Sequence, residues 1–187
     1  MTRLRLRPAY STDELSRVYD HTYDHRQWQD HRLRIAVTLE VTQWAARLGG
    51  LASGADLSAG DGTVLSGVRL SRKVFGDLSG AWDISGQIEH TLPSLEPVDL
   101  YICTETLEHV DDPDLILKTI REKAKVLVLS TPVDAFGDTN PEHYWAWSKA
   151  DVEAMLNQAG FQVFTYVSVN LRALGPEYYE FGIWVCQ

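Results

Sequence analysis

The chain has 187 residues, of which 44% are hydrophobic and 23% charged. This profile predicts a single globular domain over residues 1–187 with a substantial core. Acidic residues exceed basic ones to give a formal net charge of −9, which argues against a protein that holds nucleic acid mainly by neutralising phosphates. We therefore expect a small-molecule substrate rather than a nucleic-acid partner.

The two cysteines, Cys103 and Cys186, lie far apart in the sequence and form no metal-binding or redox motif. We expect both thiols to be reduced. The basic first residues lack the apolar run of a signal peptide, and no later segment has the length needed to span a bilayer. These features predict a cytoplasmic protein with no membrane partner and leave the oligomeric state open.

Residues 1–50 are predicted to form a helical lid or cap on a core of residues 51–187. A capped helix begins at Ser11, and a longer helix covers about Gln29 to Leu48 before two glycines. Residues 19–32, between these helices, are dense in His, Tyr and Arg. This segment is either a solvated face or a lid over a pocket, from which Tyr23, His25, Trp28, His31 or Arg32 contacts a ligand.

A small-residue turn, A-D-L-S-A-G-D-G, lies between a short strand and a helix. Small residues allow the backbone to approach a ligand closely, although an ordinary strand-to-helix turn also uses them. A second short strand, Lys73–Gly76, ends at Asp77, where a nucleoside-binding fold places its ribose-hydroxyl acceptor. A third strand is predicted within Trp82–Ile88, followed by Glu89.

The apolar run V-D-L-Y-I-C, from Val98 to Cys103, is typical of a buried central strand in a parallel sheet. Glu105, Glu108 and His109 then follow at positions i, i+3 and i+4. If a helical turn begins after Thr104, these side chains share one face. Open α/β sheets bind ligands at the carboxyl ends of their strands, so this turn is a predicted place for chemistry.

The following segments predict a helix that begins near Asp112, then a strand over Lys125–Ser130 that Thr131-Pro132 ends. A polar loop contains His143 and three aromatic residues, which are either core aromatics or a substrate wall. Ser148 caps a helix that extends to Gln158. Two β-rich segments near the C-terminus then predict an antiparallel hairpin at the sheet edge. The three aromatic residues are Tyr144, Trp145 and Trp147.

The order of these motifs, A-D-L-S-A-G-D-G, V-D-L-Y-I-C-T-E-T-L-E-H-V-D-D-P, L-V-L-S-T-P and A-G-F, resembles the class I S-adenosylmethionine-dependent methyltransferases over roughly residues 50 to 187. The resemblance implies a doubly wound α/β fold with a mostly parallel, seven-stranded, Rossmann-like sheet and an antiparallel C-terminal hairpin. Ser58 stands where the family usually has the first glycine of its D-x-G-x-G-x-G motif.

The resemblance also implies S-adenosylmethionine as cofactor and a role for each matching residue. Asp56, Ser58, Gly60 and Gly62 would hold the methionine end, and Asp77 the ribose hydroxyls. Glu89, or less readily Asp83, would lie near adenine, whereas Thr104 and Glu105 would border the sulfonium. 

The E-x-x-E-H pattern with a distant His is similar to that of metal-dependent O-methyltransferases, which include ubiquinone-pathway, sugar and RNA 3′-terminal 2′-O-methyltransferases. The resemblance implies that Mg²⁺ or Mn²⁺ is held by Glu105, Glu108, His109 and His143. A bound cation would lower the pKa of the acceptor hydroxyl. Without a metal, His109 or His143 is the candidate general base, with Glu105 beside it.

The sequence thus predicts an O-methyltransferase, with or without a metal, that acts on a small hydroxylated acceptor such as a sugar, a saccharide or a phenol. One alternative is a nucleic-acid or nucleotide methyltransferase. Another is a methyltransferase fold that binds a ligand without turnover, for which Ser58 is the main reason.

Overall fold

The computed structural model describes residues 3–19, 29–175 and 178–187. A sheet of seven strands runs through the molecule in the order β4-β3-β2-β5-β6-β9-β8. Strands β2 to β6 are parallel, and β9 lies antiparallel between β6 and β8. The predicted fold class is therefore confirmed. The strands are β1 Leu4–Arg5, β2 Ser53–Asp56, β3 Arg72–Asp77, β4 Ile84–Ser85, β5 Val98–Thr104, β6 Ala124–Val133, β7 Trp145–Ala146, β8 Val163–Asn170 and β9 Glu180–Cys186.

The described helices begin and end close to the predicted positions. Ser11 and Glu14 form a reciprocal capping box at the first helix, and Ser148 and Asp151 form another at the last. The long helix covers the predicted Gln29–Leu48. None of the described helices is both long and apolar enough to cross a membrane. The helices are α1 Thr12–Val18, α2 Gln29–Leu48, α3 Thr63–Gly67, α4 Ile88–Thr91, α5 Pro113–Lys123 and α6 Lys149–Gln158.

Strand β5 is the centre of the core because it is buried on both faces. Tyr101 and Cys103 pack with α5 and α6 on one face of the sheet. Leu100 and Ile102 pack with α2 and α3 on the other face. This two-sided burial explains why the strand reads as a continuous apolar run rather than an alternating one. Both cysteines are buried and unpaired, as predicted for reduced thiols.

Strand β6 does not end at Thr131-Pro132 as the sequence predicts. It continues to Val133, with Pro132 opposite Phe181 of the antiparallel neighbour β9. On its other side, the pairing with β5 stops at Ser130. Proline is accommodated because its missing N–H falls beyond the end of β5, where no ladder bond is needed. The extension places Thr131 of β6 within hydrogen-bond distance of Glu108 in the turn after β5.

A small second sheet, which the sequence analysis does not predict, joins the N-terminus to the loop before α6. Leu4 pairs with Ala146 and Arg5 with Trp145. The Trp145 ring lies against the guanidinium groups of Arg3 and Arg5, at 4.9 and 4.6 Å from the ring centroid. This contact holds residues 3–6 beside the segment that carries His143.

Candidate functional site

A cavity of about 750 Å³ opens at the carboxyl ends of β2, β3 and β5. Its volume suits a cofactor-sized ligand. The ends of these strands converge here because the sheet order reverses between β2 and β5, which is the ligand position expected of an open α/β sheet. Six of the seven residues predicted to bind cofactor line the cavity: Asp56, Ser58, Gly60, Asp77, Glu89 and Thr104.

The turn after β2 is organised by two carboxylates. Asp56 accepts hydrogen bonds from the backbone N–H of Ser58 at 3.0 Å and from its hydroxyl at 3.3 Å. Burial, together with the nearby charge of Asp77, raises the pKa of Asp56 to about 7. Asp77 accepts from the Gly60 N–H at 2.8 Å. The two acids therefore fix the loop that faces the cavity.

Gly62, the seventh predicted cofactor residue, does not line the cavity. It is the N-cap of α3 and has a φ of 73°, a left-handed conformation that favours glycine. A Cβ atom here would lie 2.9 Å from the Trp82 ring. The structure therefore gives this glycine a role in turn geometry and packing. Asp83, the weaker adenine candidate, accepts from the Phe75 N–H instead.

The turn after β5 differs from the predicted helical face. The helical residues are a single 3₁₀ turn, Leu107–His109, and Glu105 precedes it with a left-handed φ of 52°. The carboxylate of Glu105 accepts from the Ser130 hydroxyl at 2.7 Å. It is not part of the group of possible metal ligands that Glu108, His109 and His143 form, although it lines the same cavity.

Glu108, His109 and His143 offer one ligand atom each within 4.8 Å of one another. Glu108 is 1% exposed, and burial together with the charge of Glu105 raises its pKa to about 8. Thr131 donates to one of its carboxylate oxygens, and the other, Oε1, is buried with no hydrogen-bond partner among the described residues. Such an oxygen is costly to bury unless a ligand contacts it.

His143 is oriented by an aspartate that the sequence analysis misses. Its Nδ1 lies 2.5 Å from Asp138 Oδ2, and Tyr179 donates to Oδ1 of the same carboxylate at 2.9 Å. Burial disfavours charge on the His143 ring, but the hydrogen bond to Asp138 and the nearby Glu108 outweigh it and raise the pKa of His143. The available sequence signal was an acid five residues before a histidine in a polar loop.

The structure does not bring Tyr144, Trp145 or Trp147 to the cavity. Tyr144 and Trp147 are buried in the core, and the Trp147 Nε1–H donates to Thr131 and Pro132. Trp145 Nε1–H donates to the Val110 carbonyl. This placement corresponds to the core-aromatic alternative, and it gives the proposed substrate wall no support.

The N-terminal segment covers one side of the cavity. Tyr19, just after α1, lines it and donates to Glu142 at 2.8 Å. His31 and Arg34 of α2 also line it. The predictions for Tyr23, His25 and Trp28 lie outside the described residues. The sequence analysis misses Arg34 because a charged residue inside a helix forms no motif. The available sequence signal was its spacing of four from Thr38 and of eight from Thr42, two other polar residues that the structure buries.

Comparisons with known proteins support the fold. No family model matches the sequence, and no curated protein matches it. One solved structure is the 1,6-didemethyltoxoflavin-N1-methyltransferase of Burkholderia thailandensis with bound 1,6-didemethyltoxoflavin and S-adenosylhomocysteine. It is 15% identical with a TM-score of 0.68, and the match covers 98% of this chain and 93% of that one.

A magnesium protoporphyrin IX methyltransferase from Synechocystis PCC 6803 with bound S-adenosylhomocysteine is 18% identical, with a TM-score of 0.62 and coverage of 93% and 92%. A Leishmania major S-adenosylmethionine-dependent methyltransferase is 13% identical, with a TM-score of 0.65 and coverage of 82% and 72%. The chain therefore has the fold of the S-adenosylmethionine-dependent methyltransferases.

Proposed function

We propose that this protein is an S-adenosylmethionine-dependent O-methyltransferase for a small hydroxylated acceptor, such as a sugar, a saccharide or a phenol. The fold and the cavity support the cofactor, because structural neighbours carry S-adenosylhomocysteine and the predicted cofactor residues converge here. The acidic residues that line the cavity at the ends of β2 and β3, Asp56 and Asp77, suit a ligand with an ammonium and a sulfonium group.

The observation that carries the choice of a hydroxyl acceptor is the group of Glu108, His109 and His143, in which Glu108 and His143 are buried and His109 is half-buried. One carboxylate and two imidazoles are a mixed donor set that suits a divalent transition metal such as Mn²⁺ better than Mg²⁺, which prefers oxygen ligands. The unpaired Glu108 Oε1 fits a ligand role. When bound, the cation would lower the pKa of an acceptor hydroxyl.

The protein's own groups would perform the remaining work. Asp138 holds His143 by its Nδ1, which leaves Nε2 as the nitrogen available to the group. Thr131 fixes one oxygen of Glu108 and leaves the other available. The cofactor residues around Thr104 would direct the methyl group towards the acceptor oxygen, and methyl transfer then needs mainly alignment. If no metal binds, His109 or His143 would accept the hydroxyl proton.

Calorimetric titration tests this function in two steps. S-adenosylhomocysteine is titrated first, and Mn²⁺ second, into wild type, His143→Ala and the control His90→Ala, which changes an exposed histidine. We expect cofactor binding in all three proteins and a Mn²⁺ isotherm that only His143→Ala abolishes. Absence of cofactor binding would refute the enzyme assignment. Cofactor binding without any Mn²⁺ isotherm would leave a general-base methyltransferase.

A further inference from the structure

Arg34 is the only arginine or lysine among the described residues that line the cavity. It lies in the N-terminal half of α2 and is 5% exposed. A guanidinium carries five N–H donors and stays charged at any physiological pH. A buried cation of this kind needs partners, so the partners that Arg34 does have decide what it can bind.

These partners do not satisfy all the N–H donors of the guanidinium. Arg34 Nη2 lies 2.9 Å from His31 Nδ1. Nη1 is 3.7 Å from the Glu105 carboxylate, which is an ion pair but not a hydrogen bond, and Nη1 is buried without a hydrogen-bond partner among the described residues. Glu105 in turn accepts from Ser130. Because arginine only donates, His31 Nδ1 must accept, which places the proton of the neutral ring on Nε2.

Outside its own helix, Arg34 contacts Glu105, which the resemblance places beside the sulfonium, and Phe181. Its guanidinium lies 5.4 Å from the ring centroid of Phe181 in β9. The residues predicted for the methionine end, the ribose and adenine lie at or after the ends of β2, β3 and β4, on the opposite side of β5 from β9 in the sheet order. Arg34 therefore lies on the half of the cavity that also contains His143 and Tyr179.

We propose that Arg34, with His31 beside it, forms a carboxylate-binding subsite for the methyl acceptor, so that the substrate is a hydroxylated carboxylic acid. This proposal rests on the proposed function and narrows it. A planar guanidinium binds a carboxylate through two parallel hydrogen bonds, and Nη1 is a donor that such a ligand would satisfy. Glu105 holds the guanidinium from one side and leaves donors for the ligand.

Matched ligand pairs test the subsite by binding rather than by turnover. Salicylate and salicylamide, and galacturonate and galactose, differ chiefly in the carboxylate. Each is titrated into the protein with and without S-adenosylhomocysteine. We expect wild type to bind the acid of at least one pair roughly 10- to 100-fold more tightly than its neutral partner. Arg34→Met should abolish this preference, and Arg34→Lys should retain only part of it.

Arg47→Met, at an exposed arginine near the end of the same helix, is the matched control and should keep the preference. Near-ultraviolet circular dichroism checks the folding of each variant, and Arg34→Lys decides the question if Arg34→Met does not fold. No acid preference in wild type, or a preference unchanged in the Arg34 variants, would overturn the proposal. A parallel loss of S-adenosylhomocysteine affinity would overturn it too, by assigning Arg34 to the cofactor's carboxylate.

These outcomes are separable from failure of the proposed function. The acid preference is measured without cofactor as well as with it. A protein that shows the Arg34-dependent preference but binds no S-adenosylhomocysteine would retain the subsite and lose the methyltransferase assignment.

Discussion

The hydroxyl oxygens of Ser58 and Thr106 lie 2.6 Å apart, one in the turn after β2 and the other in the turn after β5. One of the two hydroxyls donates to the other: if Ser58 is the donor, the Thr106 proton goes to the Thr104 carbonyl, and if Thr106 is the donor, the Ser58 proton goes to Asp56. Ser58 stands where the resembled family usually has glycine. Here its side chain joins the two loops on which the cavity is built, so the departure from the motif has a structural use.

Ser58→Ala should lower the free energy of unfolding by about 1 kcal/mol, because it removes the hydrogen bonds of that hydroxyl. The affinity for S-adenosylhomocysteine should change less than threefold, since the hydroxyl is engaged within the protein. Urea unfolding and calorimetry measure the two effects, with the exposed Ser66→Ala as control. A tenfold loss of affinity at unchanged stability would show instead that the Ser58 hydroxyl contacts the cofactor.

Asp138→Asn should weaken Mn²⁺ binding by roughly 10- to 100-fold, as loss of an orienting partner does at other histidine ligands. Asparagine can still occupy the space, but it loses the charge that holds the Nδ1–H of His143. Affinity for S-adenosylhomocysteine should stay unchanged. The exposed Asp134→Asn is the matched control. Equal Mn²⁺ affinity in both variants would show that His143 does not depend on Asp138.

Trp147→Phe should destabilise the protein by about 2 kcal/mol, because it leaves a cavity in the core and removes the donor for Thr131 and Pro132. Thermal and urea unfolding measure this loss, and Trp44→Phe at an exposed position is the control. Ligand affinities should be preserved when measured well below the unfolding temperature. Loss of acceptor binding in a folded Trp147→Phe protein would restore the substrate-wall interpretation.

Asp99 should make stability depend on pH below the neutral range. Its carboxylate accepts from Lys125, from the N–H groups of Ala52 and Ser53 and from the Ser53 hydroxyl. The bond from Lys125 leads these contacts in lowering the pKa of Asp99 well below its usual range. The ionised form therefore contributes stability above the unfolded pKa of about 3.9, and this contribution is lost as the pH falls further.

Asp99→Asn should accordingly cost about 1 kcal/mol at neutral pH, and the difference from wild type should shrink on acidification below about pH 4. Urea unfolding at both pH values measures this, with the exposed Glu122→Gln as control. A difference that grows on acidification would contradict the role given to Asp99.

The regular part of the fold was predictable because its signals are local. Helix α2 ends at paired glycines, and the buried strand β5 has a continuous apolar run, so both could be located from neighbouring residues. The extension of β6 could not, because whether a proline is tolerated depends on which neighbouring strand ends beside it. The pairing of β1 with β7 likewise depends on residues that lie far apart in the sequence.

The residues of the candidate site likewise divide into those that local sequence signals locate and those that only tertiary contacts bring together. Asp56, Asp77 and Thr104 line the cavity and could be located from the sequence because each ends a recognisable strand, whereas their contacts with a cofactor stay predictions. The prediction that a helical turn places Glu105 and Glu108 on one face was wrong. A spacing of i and i+3 implies a common face only if the backbone is helical, and Glu105 has a left-handed φ. The sequence offers only weak signals for Asp138 and Arg34, because both reach the site through tertiary contacts.

The small sheet formed by Leu4 and Arg5 with Trp145 and Ala146 has a consequence for the order of assembly during synthesis. Leu4 and Arg5 leave the ribosome before their partners, which follow most of the sheet. The pairing that supports the loop with His143 can therefore form only after β6 and β7 have been made. Closing this long-range contact is expected to be a late event in folding, so a chain halted before β7 would have the nucleus of the sheet but no completed site.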